Sequence, residues 1–212
     1  MNKRLFFRNA AMLVGSSALL RLSNIWFRVF ISAKIGASGM GLYQLIFCVF
    51  SLGITISVSG SGLIVTRLVA EGQGTRASIG RCLLFSLGIS LSAAAVLFFA
   101  ATPIAVQFLN DANAAPALRI LAPGLPFIAV CACLKGYFLA VRNSAVPACG
   151  EIMEQIVTIG ASVAFFYLIP QNPLFALMLG STAGEIISCA FVSICYFLAV
   201  RKRGLHGKSP SH

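Results

Sequence analysis

Apolar residues run through this chain in blocks of about twenty, the length a helix needs to cross a hydrocarbon layer of ~30 Å. Six such blocks can be drawn, at residues 9–35, 41–69, 81–102, 117–138, 146–169 and 174–200. Short polar, Gly or Pro stretches separate them. Gly36 to Gly39 reads as a tight turn and residues 71–76 as a polar loop. Residues 103–116 read as a longer loop whose start lies along the membrane, and 142–144 and 170–173 as tight connections. Pro123, Gly124 and Pro126 predict a kink in the fourth block. The pattern predicts an all-α integral membrane protein: a six-helix unit over residues 1–200 and a basic tail over 201–212.

The blocks are not uniformly apolar. Ser17, Arg21, Asn24, Arg28 and Ser32 follow helical spacings of three and four and form one polar stripe on the first span. Two arginines two turns apart on one face cannot both snorkel to the same interface. A charge at mid-bilayer costs at least about 3 kcal/mol, a cost met by a carboxylate, a water-filled cavity or an anionic ligand. The stripe is therefore either half of a structural ion pair or an anion-binding wall. The second span carries Gln44, Cys48, Ser51, Thr55, Ser59, Gly62 and Thr66 at the same spacings. That stripe fits either a polar cavity wall or close packing through small residues.

Acidic residues appear on the later spans. Glu151, Glu154, Gln155, Thr158 and Ser162 share roughly one face of the fifth, and Glu185 flanks a seam of Gly180, Gly184 and Ser188 on the sixth. Arg21 and Glu185 both fall near mid-bilayer, whereas Glu154 lies about two turns from its helix end. Glu185 is thus the expected partner of Arg21, and Glu154 and Glu185 are the candidate ion-pair or coupling residues.

Only 10% of the 212 residues are charged, against about 25% in a soluble domain. The net charge of +11 would suggest nucleic acid in a soluble protein. Here the basic residues fall between spans, and 12 of the 16 fall on one set of span ends. Those 12 include Arg67, Arg81, Lys135, Arg142 and Arg201; the opposite ends carry Lys34 and Arg119. The positive-inside bias then places both termini in the cytoplasm, with no nucleic-acid partner. The seven cysteines lie mostly in or beside apolar spans without a C-x-x-C pair, so neither a disulfide framework nor a metal site is expected. No catalytic constellation is visible, so neither an enzyme nor a cofactor is expected.

Several stretches in order carry a resemblance: GASGMGLYQL at 36–45, TRLVAE at 66–71, LRILAP at 118–123, KGYF at 135–138 followed by Arg142, Asn143 and Pro147, and EQIV at 154–157. Together they resemble the amino-terminal half of the stage V sporulation protein B family. These are polysaccharide-biosynthesis relatives of the lipid II flippases, within the multidrug, oligosaccharidyl-lipid and polysaccharide exporter superfamily. The resemblance implies that the six helices form one lobe of a two-lobe flippase or exporter around a central cavity. It implies transport of a lipid-linked anionic saccharide or peptidoglycan precursor at the cell membrane by alternating access. In lipid II flippases, arginines of the first helix face the cavity and meet the lipid-linked pyrophosphate, a role the resemblance carries to Arg21 and Arg28. Asn24, Gln44, Ser51 and Thr55, on the same two stripes, complete the expected substrate wall. A drug or organic-ion exporter, with the acidic residues in the leading role, is the alternative, and a non-transporting or inactive truncated subunit is a third. Family members are roughly twice as long, so the stripes are expected to need a second lobe from a separate chain, in preference to a second copy.

Overall fold

A computed structural model of the chain describes residues 3–71, 76–111, 114–141, 143–169 and 172–205. Arg142, the loop residues 72–75 and 170–171, and the tail from 206 onward lie outside the described residues. So do the side chains of Lys3, Arg4, Arg8, Arg76, Lys202 and Arg203. The described chain comprises α1 (Lys3–Val58), α2 (Ser61–Ala70), α3 (Arg76–Pro103), a π-helical turn (Ile104–Phe108), α4 (Ala114–Leu121), α5 (Gly124–Ala140), α6 (Ala145–Leu168) and α7 (Pro173–Leu205). Five helical stretches are long and apolar enough to cross a membrane: Ser17–Ala70, Ala77–Phe108, Ala114–Ala140, Ala145–Leu168 and Pro173–Arg201.

The difference from the expected six lies in the first stretch. Its 54 residues would make a helix of about 80 Å, more than twice a bilayer core. It is interrupted once inside α1, at Gly36, with φ 76° and ψ 177°. The turn expected over Gly36 to Gly39 is therefore compressed into one residue, in a backbone region that favours glycine.

Side-chain pairings show what this corner does. Gly180 faces Ser162, Gly184 faces Thr158, and Ser188 donates to the Gly150 carbonyl at 3.2 Å, so α6 and α7 are antiparallel. Gly124 faces Glu185 and the Cys131 Sγ lies 3.9 Å from the Ser188 Oγ, so α5 and α7 are parallel. Gly53 faces Leu125, Gly62 faces the Ala132 carbonyl, and Thr66 donates to the Gly136 carbonyl at 3.0 Å; residues 37–70 thus run parallel to α5. Gln155 donates to Asn24 at 3.2 Å and Phe30 stands edge-on to Phe166, so residues 3–35 run parallel to α6. The chain on either side of Gly36 consequently runs in opposite directions.

Three apolar clusters hold these helices. Ile46 and Phe50 pack with Leu97, Leu118, Leu125 and Met178, while Val65 packs with Leu134, Phe138 and Val192. Phe27 and Ile31 anchor the first segment against Leu177, Ile159 and Phe166. Many other large apolar side chains, among them Leu22, Trp26, Leu84, Phe99 and Tyr167, are exposed, as lipid-facing residues are. Lipid tails are as apolar as leucine, so close approach at small residues carries the helix association. A Cβ on Gly180 would meet the Ser162 backbone, and one on Gly184 the Glu154 carbonyl. The kink predicted near Pro123 is present as the break between α4 and α5. The third span is longer than its pattern, because the helix continues past Pro103 through the π-helical turn.

Candidate functional site

The first stripe survives intact. Phe27 and Ile31 turn inward, and that places Ser17, Arg21, Asn24, Arg28 and Ser32 together on the exposed face. Neither Arg21 nor Arg28 is in an ion pair with a described residue. The expected Arg21–Glu185 pair is not formed. Glu185 packs against Gly124 of α5, whereas residues 3–35 meet α6 at Ile159 and Phe166 and α7 at Leu177. Asn24 is the tethered member of the stripe, through its carbonyl oxygen and Gln155.

The second stripe divides. Gln44, Cys48, Ser51 and Thr55 are exposed. Ser51 and Thr55 turn their hydroxyls back to the carbonyls of Cys48 and Ser51 at 2.7 and 2.8 Å. Farther along, Gly62 and Thr66 close against α5. The stripe thus divides at the break at Gly60, exposed before it and packed against α5 after it.

A cavity of about 190 Å³ is lined by Ile54, Val58, Ile128, Lys135, Glu154 and Glu185, among others. One wall adjoins Thr55 of the second stripe; the other adjoins Gln155, which holds Asn24 of the first. Lys135 lies 3.8 Å from both Glu151 and Glu154. The Glu185 Oε2 is buried with no hydrogen-bond partner among the described residues. Lys135 is the residue that sequence reasoning missed, since at a span end it reads as a topology charge. Chemically the chain offers an open cationic face suited to a phosphate or carboxylate, and a half-open pocket in which Glu154 and Glu185 meet one lysine.

The seven cysteines are free thiols, with Cys131, Cys133 and Cys189 buried and Cys48 and Cys149 exposed.

A family model described as polysaccharide biosynthesis protein matches residues 6–209. The chain is similar to stage V sporulation protein B of Bacillus subtilis (strain 168), 29% identical over 206 residues that cover 92% of this chain and 40% of that protein. It is also similar to the uncharacterized membrane protein YabM of the same organism, 22% identical over 205 residues that cover 92% of this chain and 38% of the relative. The chain thus spans about two fifths of the length of these curated relatives. No solved structure matches it.

Proposed function

This chain belongs to the polysaccharide biosynthesis protein family, and from that premise we propose that it is one half of a flippase or exporter for a lipid-linked oligosaccharide or peptidoglycan precursor. The observation that carries the reading is the open arginine stripe. Arg21 and Arg28 stand exposed on an apolar helix with no carboxylate against them among the described residues. An undecaprenyl-type pyrophosphate headgroup supplies the missing countercharge, and a guanidinium fork matches phosphate oxygens. The lipid tail stays in the bilayer while the headgroup passes along Asn24, Gln44, Ser51 and Thr55. The mechanism is alternating access, without covalent chemistry.

The 54-residue apolar stretch crosses twice, about Gly36, giving six crossings with both termini in the cytoplasm of a plasma-membrane protein. The reversal of direction at Gly36 and the bias of 12 basic residues to one set of span ends support this topology. A second lobe covers the two open stripes. A separate chain is favoured over a second copy, because a homodimer would set four arginines around one cavity. The cavity at Lys135, Glu154 and Glu185 favours a second reading, a drug or organic-ion exporter in which these carboxylates meet the cargo or a coupling ion.

Translocation of a fluorescent lipid-linked saccharide in proteoliposomes tests the leading reading. Transport by the chain with its second lobe, lost with Arg28→Ala and partly kept with Arg28→Lys, is the expected result. Full transport by an isolated monomer would refute the need for a partner, and transport of organic cations alone would favour the second reading.

A further inference from the structure

The second span is broken partway along its length. α1 ends at Val58, Ser59 and Gly60 form a turn in which Gly60 adopts φ 77°, and α2 runs 10 residues from Ser61 to Ala70. At a rise of 1.5 Å per residue, the break lies roughly 15 Å from the inner end of the span, near the bilayer mid-plane. Helix breaks at that depth persist only where protein or water satisfies the freed backbone groups.

A cavity of about 40 Å³ adjoins the break, lined by Ser57, Ser59, Ser61, Cys82, Ser86 and Ile89, among others. Ser57 on α1 and Ser86 on α3 face it from opposite walls, each only 2% exposed. Neither hydroxyl has a hydrogen-bond partner among the described residues. Each can donate one bond and accept two, and native structures seldom strand such groups in pairs. The volume exceeds the ~10–15 Å³ that one water needs and admits up to about three. No acidic or basic residue lines it, so an ion would lie in the membrane without a countercharge. A neutral, hydrogen-bonding occupant as small as water fits both the volume and the chemistry.

We propose that a bound water occupies this pocket and bridges Ser57 to Ser86, so that the break at Gly60 is a hydrated joint within the second span. The inner piece is tied to α5 through Gly62, Thr66 and Gly136. Across the joint the Ser61 hydroxyl donates to the Val58 carbonyl at 3.2 Å, and the water satisfies the Ser57 and Ser86 hydroxyls, which no described group reaches.

Thermal unfolding of the full chain tests this. If the water is present, Ser57→Ala and Ser86→Ala each lower the midpoint by a few degrees, and the double variant loses less than the sum, since both act on one water. If the pocket is dry, each substitution removes a stranded hydroxyl and raises the midpoint, and that outcome overturns the proposal. Hydrogen–deuterium exchange on the unmodified protein gives a test that no variant can spoil. The first-turn amides of α2, at Ser61 to Leu63, should exchange within minutes, unlike those of the neighbouring α3 interior. Protection of these amides over hours would equally overturn it.

Discussion

The arginine stripe and the carboxylate pocket meet the same physical problem, charge within an apolar bundle, in opposite ways. Glu151 and Glu154 gather on Lys135 at 3.8 Å, and Lys135, Glu154 and Glu185 line one cavity. Arg21 and Arg28 face outward beside exposed Leu22, Ile25 and Val29. Glu151 and Glu154 have a countercharge in Lys135, whereas neither arginine is in an ion pair with a described residue. A structural ion pair belongs to folding and an unpaired cationic face belongs to binding, so substitutions in the two regions should separate stability from ligand affinity.

Lys135→Met should produce the largest effect. It strips the cation from two glutamates and should cost about 2 kcal/mol, between an exposed and a buried pair, because both glutamates are more than a third exposed. The unfolding midpoint in detergent reads this, and adding Glu151→Gln and Glu154→Gln should restore most of the loss. A neutral outcome for Lys135→Met would erase the contrast between the two regions. Gly184→Leu should follow, at about 1–3 kcal/mol of overpacking, because its side chain would enter the Glu154 carbonyl and Thr158. It checks that the α6–α7 seam places the carboxylates, and cross-linking between cysteines set on the two helices should fall with it. Asn24→Ala should cost only about 0.6 kcal/mol, an average interhelical hydrogen bond in a membrane. Smallest for stability is Arg28→Ala, within about 0.5 kcal/mol for an exposed side chain in no ion pair with a described residue, and circular dichroism on heating should not distinguish it from the unmodified chain.

Much of the fold was legible because lipid imposes one length on every span and helical periodicity marks each face. The stripe at Arg21, Asn24 and Arg28 was readable for that reason, as was the kink at Pro123. Periodicity fails where one pattern serves two purposes. Gly62 and Thr66 continue the spacing of Ser51 and Thr55, yet they pack on α5 while the earlier residues stay open. Ser59 and Gly60 fall in the same run, and so the break there was absorbed into a continuous span. The partner of Glu185 was misassigned because depth alone was used to pair it with Arg21. Depth sets the level of a residue along the membrane normal but not which neighbouring helix it faces, and that came from the close approach at Gly124. Lys135 shows the converse, a residue whose position at a span end reads as topology while its contacts, Glu151 and Glu154, lie on another helix.

The central claim is that the open arginine face binds a phosphorylated lipid. Native mass spectrometry of the purified chain, titrated with undecaprenyl pyrophosphate and in parallel with undecaprenol, tests it most directly. The account predicts retention of the pyrophosphate lipid over the alcohol, with that preference falling at least tenfold in an Arg21→Ala, Arg28→Ala double variant that stays folded. Equal retention of both lipids, or a preference unchanged by the double substitution, would contradict it.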